Sequence, residues 1–192
     1  MNAIADFFDS LADRWDELCQ HEPDKINEIL EQTTLRKGMR ILDVGCGTGI
    51  LESFLLPYSP VEIVGVDLSS FMIEKARCKY AIKTVDFHCM DIMDLKNERF
   101  DYIIAYSVFP HFSNQKELIS HLAGLLHPGG ELVICHSESR DKINMHHGKQ
   151  AVRISFGLPP AEEVAQMMEP YFRIQTIQDT NRLYMVSGIR NS

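Results

Sequence analysis

Apolar residues near the start of the chain recur in steps of three and four. Ile4, Phe8, Leu11, Trp15 and Leu18 therefore share one face, and the spacing predicts a helix over residues 3–19. A second helix is expected from Pro23, a residue suited to a first helical turn, with Ile26, Ile29 and Leu30 inward and Gly38 closing the region. The pattern then changes. Short apolar runs at 40–44, 61–66, 84–89, 100–105 and 131–135 read as strands. Helical stretches lie between them, at 50–56 (ended by Pro57), from the Ser69 cap to Lys79, and at 114–126 (closed by His127-Pro-Gly-Gly130). Strands alternating with helices predict a parallel sheet covered on both faces. After His136 the alternation stops. A short helix is expected over 139–147, ended by Gly148, and another over 161–168 behind Pro159 and Pro160. Two runs at 172–178 and 183–189, joined by a short polar connection, predict an antiparallel hairpin. The expected architecture is α/β, doubly wound, with a mostly parallel seven-stranded sheet ending in that hairpin.

Composition narrows the class. With 192 residues, 45% hydrophobic and 24% charged, the chain has the size and make-up of one globular domain. We read 1–192 as a single domain: a helical cover at 1–35, a core at 36–136, and helices with the hairpin at 137–192. There are 19 basic and 27 acidic residues, a net charge of -8, which argues against a nucleic-acid partner because phosphate neutralisation needs a basic surface. Five cysteines without CxxC spacing suggest a reducing compartment rather than a disulfide framework or zinc knuckle. No run approaches the ~20 apolar residues of a membrane span, and the N-terminus does not read as a signal peptide. The expectation is a cytoplasmic protein acting on a small molecule, with no membrane and no nucleic acid; oligomeric state is not legible.

Chemistry concentrates at the ends of the expected strands. The first strand runs into Asp43-Val-Gly45-Cys46-Gly47-Thr-Gly49, where glycines permit a sharp turn and a close approach of backbone to ligand. Ile50 stands where a dinucleotide fingerprint needs its last glycine, and no Lys-Ser/Thr follows for a phosphate loop. Asp43 would repel a pyrophosphate but suits an ammonium or sulfonium group. Asp67, 22 residues beyond Gly45, ends the second strand, where a carboxylate accepts from two ribose hydroxyls. Asp91, between Met90 and Ile92, suits an adenine: the carboxylate takes the exocyclic amine and the apolar neighbours sandwich the ring.

In this order and spacing, these residues, with Gly65-Val-Asp67-Leu68-Ser69 and Leu126-His-Pro-Gly-Gly130, resemble the class I S-adenosylmethionine-dependent methyltransferases of small-molecule type, whose fold is Rossmann-like. The resemblance covers residues 36–136 and implies S-adenosyl-L-methionine as cofactor. It places Gly45, Cys46, Gly47 and Gly49 by the methionine and ribose, Asp67 and Leu68 at the ribose, Met90, Asp91 and Ile92 around the adenine, and counts Asp43 and Tyr106 among the cofactor-binding residues. It also makes Trp15, followed by Asp16, the aromatic of an N-terminal cover where the family more often has Tyr-Asp. Trp15 either faces the cofactor or acceptor or packs as part of the helix's apolar face, and the cover is a candidate lid. No Asn-Pro-Pro-Tyr or Asp-Pro-Pro-Tyr motif follows the fourth strand, which in this family argues against nucleobase amines and glutamine amides as acceptors.

Three stretches bring imidazoles to the carboxyl end of the sheet: His111, His136, and His146 with His147. Three readings stay open: His111 or His136 as general base, a metal site using His111, His136 and His147, or structural roles. The metal is unspecified. Arg140 and His147 are candidate acceptor contacts, with Arg140 paired to Glu138 or Asp141 as the plainer alternative. His21, His88, His121 and His127 read as surface or packing residues. Besides methyl transfer to a small molecule, the sequence admits a non-catalytic module holding S-adenosylmethionine or S-adenosylhomocysteine, and a metal-binding protein on the same scaffold.

Overall fold

The computed structural model describes residues 3–19, 21–150 and 155–192, with residues 146–150 described by backbone alone. The chain begins with helices α1 (Ala3–Leu11), α2 (Trp15–Leu18) and α3 (Pro23–Glu31). Strand β1 (Arg40–Val44), helix α4 (Glu52–Leu55), β2 (Glu62–Asp67), α5 (Ser70–Lys79), β3 (Val85–Cys89) and β4 (Phe100–Tyr106) follow. The remainder is α6 (Gln115–Leu125), β5 (Leu126–His136), α7 (Arg140–Gln150), α8 (Ala161–Met168), β6 (Phe172–Asp179) and β7 (Tyr184–Arg190). All seven strands form one sheet in the order β3-β2-β1-β4-β5-β7-β6. The first five are parallel, and β7 enters antiparallel to β5 with β6 outside it. Order reverses between β1 and β4, which makes a crevice at their carboxyl ends.

Alternating strand residues feed two cores. Leu42, Val64 and Ile103 face α6 and α8, while Ile41, Ile63 and Tyr102 face α3 and α5. Ile26, Ile29 and Leu30 are buried on α3, as their spacing requires. The Ser69 hydroxyl accepts from the Met72 amide and caps α5.

Four local expectations change. The first helix is not continuous: a 3-10 turn at Ala12–Arg14 separates α1 from α2. This tightening lets Asp13 and Asp16 reach Lys75 and Lys79 on α5, at 2.7 Å and 2.5 Å. Next, α4 spans one turn only, and Pro57 lies within a 3-10 turn at Leu56–Tyr58 instead of stopping a longer helix. The expected turn at 127–130 belongs to β5 as a bulge: pairing jumps from Phe100↔Leu126 to Tyr102↔Glu131. Finally, α7 runs through Gly148 to Gln150; an interior glycine costs about 1 kcal/mol, too little to end a helix by itself.

Candidate functional site

All five parallel strands deliver residues to one cavity of about 800 Å³. It is lined by Gly45–Gly47 after β1, Asp67 and Leu68 at β2, and Met90–Met93 after β3. Tyr106–Val108 at β4 and His136–Glu138 at β5 complete its floor. The N-terminal segment roofs it with Ile4, Phe8, Trp15 and Leu18.

The glycine loop is held by backbone. The amides of Gly45 and Cys46 both donate to the Val66 carbonyl, at 2.7 Å and 3.1 Å. Gly45 has a φ of +69°, and a Cβ there would lie 2.3 Å from Cγ2 of Val108, so glycine is required where the segment after β4 closes on β1. Gly47, with a φ of +54°, faces the cover: a Cβ there would sit 3.7 Å from Nε1 of Trp15. Gly49 packs against Tyr80 and lies outside the lining. Its left-handed φ of +83° keeps glycine there, but it does not meet the cavity.

Asp67 is the cavity's central carboxylate. One oxygen accepts from the Gly47 amide at 2.9 Å and the other from the Ser69 amide at 2.8 Å. Burial raises its pKa, and those amides oppose the rise. The Leu68 amide favours the charged form more weakly, and the roughly four lone-pair sites of a carboxylate leave capacity beyond these amides. Asp91 accepts from the Met93 amide at 3.0 Å and starts the turn that sets Ile92 into the wall. Asp43 lies outside the lining, buried beneath the loop, and its Oδ2 has no hydrogen-bond partner. Burial holds its carboxyl well above the usual range, and Glu52 and Asp67 add to the effect. Glu52, also fully buried, has its pKa raised to about 7, chiefly by burial. Its own amide, short of a hydrogen bond, and Lys79 favour the charged form less strongly. Burial and these carboxylates keep Cys46 a protonated thiol.

The roof is latched to α5 by acids at 9, 13 and 16. Asp9 accepts from the Ser69 hydroxyl at 2.5 Å and the Phe71 amide at 3.1 Å, and Asp16 from Thr48 at 2.5 Å. Trp15 lies edge-on to Phe8, with centroids 5.4 Å apart, and Phe8 lies edge-on to His111 at 5.2 Å. An aromatic row therefore crosses the opening.

Trp15, Gly45, Cys46, Gly47, Asp67, Leu68, Met90, Asp91, Ile92, Tyr106, His111 and His136 all line the cavity. Arg140 does not: it pairs with Asp179 on the hairpin at 2.8 Å and, as the plainer alternative has it, with Asp141 at 3.8 Å, while Glu138 pairs with Lys142 at 2.8 Å. The side chain of His147 lies outside the described residues. Among the described residues, no group of three or more His, Cys, Asp or Glu is arranged to hold a metal. One lining histidine was not legible as such. His21, expected to be a surface or packing residue, reaches Tyr106 OH with its Nδ1 at 2.6 Å. No local spacing signals this, because the partners lie 85 residues apart. Ser107 adds backbone strain at the rim, with a φ of +56° in the left-handed region. Among the described residues, no helix is long and apolar enough to cross a membrane.

A family model described as a methyltransferase domain matches residues 12–180. A ubiquinone biosynthesis O-methyltransferase of Coxiella burnetii is 31% identical over 138 residues, 67% of this chain. The match spans 58% of that relative's length. Two solved structures share the fold. One is from the complex between the Haloferax volcanii Trm112 methyltransferase activator and a methyltransferase, with TM-score 0.86 and 16% identity, covering 99% of this chain and 98% of that one. The other is the N-methyltransferase NodS of Bradyrhizobium japonicum WM9 in complex with S-adenosyl-l-homocysteine, with TM-score 0.79 and 15% identity, each chain covered in full. A sheet whose five parallel strands end at one cavity, and a family match over most of the length, lead to one assignment: the chain belongs to the class I methyltransferase domain family.

Proposed function

We propose that the protein transfers the methyl group of S-adenosyl-L-methionine to a small-molecule acceptor. The observation that carries this reading is the convergence of all five parallel strand ends on one cavity, with Asp67 tied to the glycine loop at its centre. The fit to the cofactor is good on its own terms. About 800 Å³ lies within the range of small-molecule pockets and leaves room for a second compound. Asp67 retains lone pairs for ribose hydroxyls, and Met90, Asp91 and Ile92 offer the carboxylate and apolar faces an adenine needs. Gly45, Cys46, Gly47 and Leu68 pass beside the ribose and methionine part, with Trp15 above them. Asp43 stays beneath the loop, outside the cavity lining, and makes no contact with the cofactor in this reading.

When bound, the cofactor supplies an already activated methyl on a sulfonium. The residues of this chain then have three tasks: to hold the acceptor in line, to exclude water and to receive a proton where the acceptor carries one. Tyr106, His111 and His136 all line the cavity at or just after the ends of β4 and β5, and we assign them to the acceptor, Tyr106 in place of the cofactor contact that the resemblance gives it. The whole chain acts as one domain in the cytoplasm, with residues 1–35 as its cover. The name of the Coxiella relative supports an oxygen acceptor.

Calorimetric titration of S-adenosylhomocysteine into Asp67→Ala tests the reading. A loss of at least 100-fold in affinity, with the fold retained by circular dichroism, is expected. Unchanged affinity would overturn it. Tight nucleoside binding by the parent, without turnover across a broad acceptor panel, would favour the non-catalytic module instead.

A further inference from the structure

Three side chains from separate segments form a hydrogen-bonded chain in the acceptor wall. Tyr106 closes β4, 5% exposed, and its hydroxyl lies 2.7 Å from Oγ of Ser137, just after β5. On its other side lies Nδ1 of His21 at 2.6 Å, brought by the connection between α2 and α3. The two rings tilt at 51° with centroids 5.2 Å apart, and all three residues line the cavity.

The protonation states follow from the surroundings. Burial depresses the His21 pKa, and Asp16 opposes this more weakly, so the imidazole is neutral at pH 7. Burial raises the Tyr106 pKa, with Cys135 and Glu138 adding to it and Ser137 and Ser107 opposing, so the phenol keeps its proton. Between a phenol and a neutral imidazole the phenol is the acid. With the phenol as donor, Tyr106 gives its hydrogen to Nδ1 of His21 and accepts from the Ser137 hydroxyl, and this arrangement requires the ring hydrogen of His21 on Nε2.

We propose that this chain receives the proton of a phenolic methyl acceptor, with Tyr106 meeting the acceptor hydroxyl and His21 as the positioning residue that holds the proton. The inference rests on the methyl-transfer reading above. A phenol fits because its hydroxyl is neutral near pH 7 and must lose a proton, whereas a carboxylate need not. Its flat ring also suits the aromatic row of Trp15, Phe8 and His111. The balance is simple. The acceptor's oxygen–carbon bond forms as the sulfur–carbon bond breaks with its electron pair left on sulfur. The acceptor proton passes to the Tyr106 oxygen while the Tyr106 proton passes to Nδ1 of His21.

The test is histidine-labelled NMR of the full chain saturated with S-adenosylhomocysteine, followed by titration with catechol as probe. The expected result is a neutral His21 at pH 7.5 with its hydrogen on Nε2. Its resonance should move on catechol addition, and its pKa should rise by at least half a unit in Tyr106→Phe, where the donor to the neutral ring is gone. A charged His21, an Nδ1–H tautomer, or no response to saturating catechol would overturn the proposal. Failure of S-adenosylhomocysteine to shift any cavity resonance would instead strike the methyl-transfer reading. In methyl transfer to catechol, Tyr106→Phe and His21→Gln should lower kcat at least 30-fold, with cofactor affinity within two-fold in His21→Gln. Retention of kcat within three-fold would overturn the proposal.

Discussion

The two sides of the cavity are built by different means. On the side of β1, β2 and β3, short strand-end segments are held through their backbone amides, by one another's carbonyls and by two carboxylates. Asp67 ties Gly47, 20 residues away, and Ser69, two away, while Asp91 ties Met93. On the roof and acceptor side, side chains meet across long stretches of chain. His21 and Tyr106 are 85 residues apart, Asp9 and Ser69 are 60, and Lys25 and Glu138 are 113. No residue of α1 is fully buried, whereas the interior positions of β1 are. A backbone-built wall has one shape, and small intrusions are costly. The roof, whose latching acids Asp13 and Asp16 stand largely in water, can part locally without loss of the fold.

The largest expected effect tests the rigid side. In Gly45→Ala the new Cβ would meet Val108 at 2.3 Å, and alanine would be forced to a φ of +69°. Left-handed backbone and overpacking together predict a loss of about 4 kcal/mol in urea unfolding. Adding Val108→Ala should recover the steric part and leave the backbone part. A neutral Gly45→Ala would mean that the wall is as pliant as the roof.

A smaller effect comes from the buried acids beneath that loop. The pKa of Glu52 is raised to about 7 in the folded chain, above its ordinary 4.5. The folded state therefore binds more protons than the unfolded state between these values. Its contribution is fully present below pH 4.5 and is lost as pH rises through 7. Glu52→Gln, which cannot ionise, should gain about 2 kcal/mol relative to the parent at pH 8 and nothing at pH 4.5. The gain falls short of the full linkage value because Asp43 shares the burden. Parallel stability curves for the two proteins from pH 4.5 to 8 would refute the assignment.

What was legible in the sequence follows the same division. The glycine loop, Asp67 and Asp91 are local: each lies within a few residues of a strand end, and the alternation of apolar runs locates those ends. The sheet and its terminal hairpin were legible for the same reason. Gly49 shows the limit even there, since spacing marks it as a loop glycine but only packing against Tyr80 says which way it faces. On the acceptor side, Arg140 is a candidate only as a cation on the helix after β5, and Asp179 on the hairpin holds it away from the cavity. Spacing carries no sign of His21, whose place depends on a contact with Tyr106 at the end of β4, 85 residues away. The break in the first helix has no signature in the apolar spacing because its partners are on α5: Lys75 and Lys79 hold acids that a continuous apolar stripe does not register.

The smallest effect on stability, and the most direct reading of the roof, comes from Asp16→Ala. Burial works against the charged Asp16, but Lys79 and Thr48 hold its pKa below the usual carboxylate range. These contacts are largely exposed, with 54% of the Asp16 side chain accessible, so global stability should fall by less than about 1 kcal/mol. Local opening should respond more. Arg14 is exposed in the 3-10 turn between α1 and α2, and tryptic cleavage after it reports on the roof. Cleavage should be about five-fold faster in Asp16→Ala, and 1 M salt should accelerate it in the parent more than in the variant, because the screened ion pair is already gone. S-adenosylhomocysteine should slow cleavage in both by filling the space beneath Trp15. Equal rates with and without the nucleoside would mean that the N-terminal segment is a fixed wall and that the cavity fills without it.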